Sequence, residues 1–137
     1  MIKVELLDNR AKVPTRATPF AAGLDLYSLE AGVVPPNQTY RIATGVAIEI
    51  PTGYVGLIWP RSGMASRFGM DILGGVIDSD YRGEIIVMVK TLKECHFTYG
   101  DRIAQLIIQP VSNFEVVRSP YLSGTERGTD GFGSTGA

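Results

Sequence analysis

The chain has 137 residues, of which 45% are apolar, and a formal net charge of −1. That length sets a single domain burying roughly two-thirds of its unfolded surface, and that apolar content excludes a disordered chain. The near-neutral balance excludes an electrostatic nucleic-acid binder, though not a local cluster of arginines. With one cysteine, Cys95, and one histidine, His96, neither an internal disulfide nor a zinc site is available. Cys95 reads as a structural residue at the end of an apolar run, and His96 as a strand residue. Met1–Leu7 lacks a signal-peptide block, and nothing approaches the ~20 apolar residues of a membrane span. The expectation is a soluble protein, cytoplasmic or intracellular in an infected host, with no membrane partner.

Sixteen glycines and eight prolines are scattered so that few windows can hold a helix of ordinary length. Between them lie short β-branched runs, taken in order as strands: Val4–Leu7, Leu24–Leu29, Thr39–Ile50, Tyr54–Trp59, Ile85–Leu92, Ile103–Val111 and Phe114–Arg118. Several alternate with period two, as in Val46-Ala47-Ile48-Glu49-Ile50, and many short strands between turns predict an all-β sandwich or barrel. Ile85, Met88, Val89 and Leu92 also match a helical face, but their β-branched density favours a strand buried on both faces. One short helix is predicted at Ser62–Phe68, with Ser62 as N-cap and Gly69 as the stop. Residues 1–122 form the β-barrel domain. Ser123–Ala137 has five glycines in fifteen positions and places Arg127 and Phe132 among them. A frayed tail has no use for those two; an arm that orders over a ligand does.

The densest stretch is Gly75-Val-Ile-Asp-Ser-Asp-Tyr-Arg-Gly-Glu-Ile85. An ordinary hairpin turns on Asn-Gly or Asp-Gly and carries neither an aromatic residue nor an arginine. Here Asp78, Asp80, Tyr81 and Arg82 fall within five positions, with Gly83 placed at the reversal. That is the layout of a small pocket: an acid to serve as base, a ring to press on something flat, a cation for an anion. The plain alternative is a solvated turn with one local ion pair, worth well under about 1 kcal/mol.

Five stretches together decide between these readings. Ala22-Gly-Leu-Asp-Leu-Tyr-Ser28, Pro60-Arg-Ser-Gly-Met-Ala65, Gly75–Gly83, Gly100-Asp-Arg-Ile-Ala-Gln-Leu-Ile-Ile108 and Arg127–Gly136 resemble, in this order, the five motifs of the trimeric dUTP pyrophosphatase (dUTPase) family. The resemblance spans residues 22 to 136. It implies a jelly-roll-like (β-clip) subunit with a flexible C-terminal arm, and a homotrimer with active sites between subunits. It further implies hydrolysis of dUTP to dUMP and pyrophosphate, by Mg²⁺-assisted attack of water on the α-phosphorus.

The resemblance also implies roles. Arg61, Ser62 and Gly63 would hold the phosphates at a helix start, and Gln105 would reach an α-phosphate oxygen. Asp25 would hold waters of a Mg²⁺ chelated by the triphosphate, which suits an ion that gives up water reluctantly. The backbone of Gly75, Val76, Ile77 and Ile86 would pair with the uracil edge, and Tyr81 would lie against the deoxyribose. Asp78 would bond the 3′-hydroxyl and take a proton from the attacking water. In the arm, Phe132 would stack on uracil while Arg127, Gly133, Ser134 and Thr135 close over the γ-phosphate. Asp130 stands where the family usually has glycine, placing a negative charge in a phosphate-facing loop. Read from residues alone, Asp101 and Arg102 form a turn ion pair.

Two other readings follow from the same stretches. A dCTP deaminase shares this fold, but it uses a glutamate on the strand after the hairpin, where a rough alignment places Met88. A regulatory trimer that engages a protein partner would leave no mark in these motifs.

Overall fold

Period-two patterning becomes ten short strands and one helix in the computed structural model, which describes residues 1–136. In chain order these are β1 (Lys3–Leu6), β2 (Leu24–Tyr27), β3 (Gly32–Val34), β4 (Tyr40–Glu49), β5 (Tyr54–Trp59), α1 (Ser62–Phe68), β6 (Asp71–Ile72), β7 (Val76–Ile77), β8 (Glu84–Lys90), β9 (Cys95–Phe97) and β10 (Arg102–Pro110). The pairing is antiparallel throughout. One sheet runs β1-β4-β8-β6, a second β2-β10-β5-β7, and β3 pairs with β9 as a small third sheet. The all-β, jelly-roll-like expectation holds.

The inner faces of the two large sheets make one core. Ile42, Val46 and Ile48 of β4 and Ile85, Val87 and Val89 of β8 join Leu26, Ile58, Ile103 and Leu106 of the other sheet in it. In β8 burial alternates: Ile85, Val87 and Val89 are fully buried while Ile86 and Met88 are only half-buried. The strand assignment was right and the burial on both faces was not, because no second layer of this chain covers the outer face. Cys95 is buried in the same core, which pushes its thiol pKa up, as expected of an inert structural cysteine.

Other expectations need correction. Phe114–Arg118 is exposed and forms no strand; after Pro110 the segment finds no edge of its own chain to pair with. Ser62 is the first helical residue, not the cap: Arg61, extended after Pro60, takes the cap position without a side-chain hydrogen bond. Gly69 does end the helix in the left-handed region, at φ 61°. The short strands β3 and β6 escaped the sequence reading because two or three residues carry no measurable period, whereas β9 bears out His96 as a strand residue.

Candidate functional site

Strand register lines up the first group of residues. On the second sheet, Gln105 lies opposite Asp25 on one side and Trp59 on the other, so the three share a row across β2, β10 and β5. Leu106 alternates into the core, which turns Gln105 outward and leaves it half-buried. Its amide donates to the Pro60 carbonyl at 3.0 Å. The carboxylate of Asp25, with only 10% of its side chain exposed, accepts from Arg61 Nε at 3.1 Å. Arg102 stands 3.9 Å away on its other side. The Asp25 backbone N–H is held by the Thr15 carbonyl at 2.7 Å. Gly23, Asp25, Arg61, Ser62 and Gln105 line one open cavity of ≈ 180 Å³. Gly23 keeps this corner open, since a Cβ there would stand 2.9 Å from the Gln105 Cβ.

Arg102 was missed in this role. Its guanidinium turns toward Asp25, while the Asp101 carboxylate accepts the Thr98 N–H at 2.8 Å, so the expected Asp101–Arg102 ion pair does not form. The signal lay in the register: Arg102 and Asp25 sit on paired strands, a fact invisible without knowing which strands pair.

The second group is the hairpin. Its two arms belong to different sheets: β7 pairs with β5, whereas β6 and β8 pair with each other at Asp71–Lys90 and Ile72–Val89. Beyond the Leu73–Met88 bond, the outer edge of β8 from Val87 back to Glu84 carries no ladder, and β7 is an edge strand. The outward edge of β7 and the stretch with Ile86 therefore flank the split, while the Gly75 carbonyl accepts the Ile58 N–H at 2.8 Å on the β5 side. The chain opens there at Gly74 and Gly75, with φ of 67° and 89°, rather than at Gly83. At Gly75 a Cβ would also meet the Ile58 carbonyl at 3.0 Å. Gly83 instead leaves room for the Tyr81 ring, whose hydroxyl donates to the Glu84 carbonyl at 2.9 Å.

Asp78 follows β7 and lines a separate cavity of ≈ 480 Å³ with Tyr54, Ser79, Asp80 and Asn113. Arg82 does not serve as a cation in either cavity. It donates to the Ser79 and Tyr81 carbonyls and reaches Glu49.

The two groups are not brought together within one chain. Extending the register, Gly74 falls opposite Trp59, three strands from Asp25, and Asp78 lies four residues further along. At ~4.8 Å per strand and ~3.4 Å per residue, Asp78 is roughly 20 Å from Asp25. The arm adds a third set that touches neither. Arg127, Ser134 and Thr135 are exposed, and Phe132 is wholly so, at φ 51°. Arg127 Nε donates to the Asp130 carbonyl at 2.8 Å, so the Asp130 backbone is tied within the arm's own turn.

Among the described residues no group of three or more His, Cys, Asp or Glu is placed to hold a metal. Asp25 is the one carboxylate beside Arg61, Ser62 and Gln105. Such a donor set fits an ion whose other ligands are water and substrate oxygens, and does not fit an all-protein cage. Among the described residues, no helix is long and apolar enough to cross a membrane.

Residues 9–136 match the dUTPase family. A deoxyuridine 5′-triphosphate nucleotidohydrolase of rabbitpox virus is 48% identical over 130 residues, covering 93% of this chain and 88% of the relative. The dUTPase of Staphylococcus bacteriophage 80alpha, solved with dUPNHPP, superposes with a TM-score of 0.91 at 32% identity, over 100% of this chain and 99% of that one. That work describes phage dUTPases as controlling transfer of virulence genes by a proto-oncogenic G protein-like mechanism. A mutant dUTPase from phage phi11 of S. aureus, described as coordinating a structural Mg(II) ion, gives a TM-score of 0.83 at 29% identity. It covers 88% of this chain, which covers 97% of it.

Proposed function

The chain belongs to the dUTPase family, and from that premise we propose that it hydrolyses dUTP to dUMP and pyrophosphate. The observation that carries the substrate reading is the split hairpin, whose arms join different sheets and leave backbone edges facing each other across the split, with Asp78 just beyond β7. Fixed N–H and C=O groups of Gly75, Val76, Ile77 and Ile86 match the O4, N3–H and O2 edge of uracil. Cytosine presents a donor where uracil presents O4, so a backbone donor facing it is left unpaired. A thymine methyl overlaps the hairpin. The Tyr81 ring, fixed by its bond to Glu84 and by Gly83, packs on the deoxyribose and leaves no room for a 2′-hydroxyl.

Asp78 bonds the 3′-hydroxyl and orients a water against the α-phosphorus. The water oxygen forms a new P–O bond, its proton passes to the carboxylate, and the bridging bond to the β-phosphorus breaks to release pyrophosphate. A carboxylate is a mild base, sufficient where positioning and charge neutralisation dominate. Arg61 and Gln105, with the Ser62 hydroxyl and the uncapped N–H groups near Gly63, bind the phosphates. For Arg61 this means leaving Asp25. Asp25 would hold a Mg²⁺ through water beside the triphosphate, where the ion would neutralise phosphate charge. In the arm, Phe132 stacks on uracil while Arg127, Gly133, Ser134 and Thr135 close on the γ-phosphate.

Because Asp78 and Asp25 are roughly 20 Å apart along one sheet, a working site takes them from different copies. We propose a homotrimer with its sites between subunits. Exposed Phe114, Val116, Val117, Tyr121 and Leu122 on the segment beyond β10 give that assembly an apolar surface to bury.

The test is pyrophosphate release with Mg²⁺ from dUTP beside dCTP, dTTP and UTP. Turnover of dUTP alone is expected. Turnover of dCTP moves the chain toward the deaminase branch, and no turnover of any leaves a regulatory protein. The control of virulence-gene transfer by phage dUTPases favours that regulatory role as a second reading. An Asp78→Asn variant that loses turnover yet keeps its biological effect would support it.

A further inference from the structure

We propose that Arg82 is a positioning residue for Asp78, a clamp that fixes the loop between β7 and β8 against the opposite sheet. The proposal rests on the reading of Asp78 as the base. Six residues, 78 to 83, separate the two strands, and they leave one sheet to join the other. Within the loop, the Tyr81 N–H donates to the Asp78 carbonyl at 3.1 Å, a single turn. Its far side is organised by one guanidinium. Arg82 NH1 donates to the Ser79 carbonyl at 2.7 Å and to the Tyr81 carbonyl at 3.1 Å. NH2 reaches Glu49 at 3.4 Å, at the end of β4, and Glu49 is in turn paired with Lys3 of β1 at 3.3 Å. Arg82 thus joins the carbonyls on either side of Asp80 to the two strands of the other sheet.

Only a planar fork spans two carbonyls and a carboxylate at once; a lysine ammonium meets them as a point. The side chains of Arg82 and Glu49 are 55% and 44% exposed, so the pair contributes little to global stability. Its effect is local. Asp78 acts by holding a water in line, and a displacement of about 1 Å costs on the order of 100-fold. Loss of Arg82 therefore lowers kcat most, while KM rises only slightly through the Asp78 and Tyr81 contacts to the sugar, because β7 and β8 themselves hold the uracil edge.

The experiment measures kcat, KM and Tm for Arg82→Ala, Arg82→Lys, Glu49→Ala and the Arg82→Ala/Glu49→Ala double variant, beside Asp78→Asn. Expected are a fall in kcat of roughly 10- to 100-fold for Arg82→Ala, KM within about threefold, an unchanged Tm, and partial recovery with lysine. Glu49→Ala falls less, and adds little in the double variant because both act through one clamp. If Arg82→Ala fails to fold, Glu49→Ala still carries the test through its kcat against its Tm. A kcat within twofold of the parent for the folded single variants overturns the clamp, as does a loss that tracks Tm. An active Asp78→Asn would overturn the base reading instead, which separates the two failures.

Discussion

Among the segments of this chain outside the sheets, two are built in opposite ways. Residues 7–15 lead from β1 toward β2 and are pinned along their length. The Leu7 N–H donates to Gly45, Arg10 grips Asp8 through three nitrogens, and the Tyr99 hydroxyl donates to the Arg10 carbonyl at 2.7 Å. Lys12 sits over the rings of Tyr27 and Tyr99, and Thr15 is tied to the Tyr27 hydroxyl. Residues 111–136 have one tie to the barrel among their backbone bonds, Val111 N–H to the Gly53 carbonyl. Their side-chain bonds stay within the segment: Ser119 with Tyr121, Thr125 with Gly128, Arg127 with Asp130. The pinned segment ends where it holds Asp25, so that side of the candidate site is set in advance. In the proposed closure the free segment would lose chain entropy, and ligand contacts would offset that loss.

Removing residues 123–137 tests that contrast most severely. Activity should fall by at least about 100-fold in kcat/KM, since the proposed γ-phosphate contacts and ring go together. The Tm should stay within a couple of degrees, because none of the segment's described residues is buried. A large fall in Tm would mean that the arm belongs to the barrel's stability after all, and the contrast would break.

A finer cut is Phe132→Ala. One stacking ring on a base is worth about 1–3 kcal/mol, so dUTP affinity should drop roughly tenfold. The loss should appear in KM and in the dissociation constant of a non-hydrolysable dUTP analogue, with melting unaltered. Equal binding by the two proteins would remove Phe132 from the closed state.

On the pinned side the expected signature reverses. Tyr99→Phe removes one hydroxyl-to-carbonyl bond, which costs about 1 kcal/mol of stability. Its activity loss should be slight and should track the fraction folded. An activity loss without a melting change would mean that residues 7–15 move during turnover, erasing the distinction from the arm.

Legibility in the sequence divides along the same line. Long strands were plain: Tyr54–Trp59 came out to the residue, and β4, β8 and β10 within two, because each carries enough alternating positions to set a period. The site's residue types were visible too, since five motifs fixed their identity. What stayed hidden was partnership. Arg102 facing Asp25, and Arg82 turning back on its own loop, depend on which strands lie side by side. Phe114–Arg118 shows the opposite limit. Its composition reads as strand, yet composition cannot supply the edge that a strand needs.

The smallest effect is the most specific probe of the pinning. Arg10 bonds hold the Asp8 carboxyl below its ordinary pKa, the side-chain bond most of all. A depressed folded pKa contributes stability that is present above the unfolded value of ~3.9 and lost as pH falls through the folded one. Asp8→Asn should therefore melt slightly below the parent at pH 6, with a gap that holds to about pH 5. As pH falls below about 4 and on through the depressed folded value, the parent protonates, its clamp on Arg10 weakens, and the two melting curves should converge. The carboxyl is solvent-exposed, so added salt should narrow the gap at pH 6 as well. A gap that persists at pH 2.5 would trace it to lost packing or backbone geometry, and leave Tyr99 and Lys12 as the fasteners of this segment.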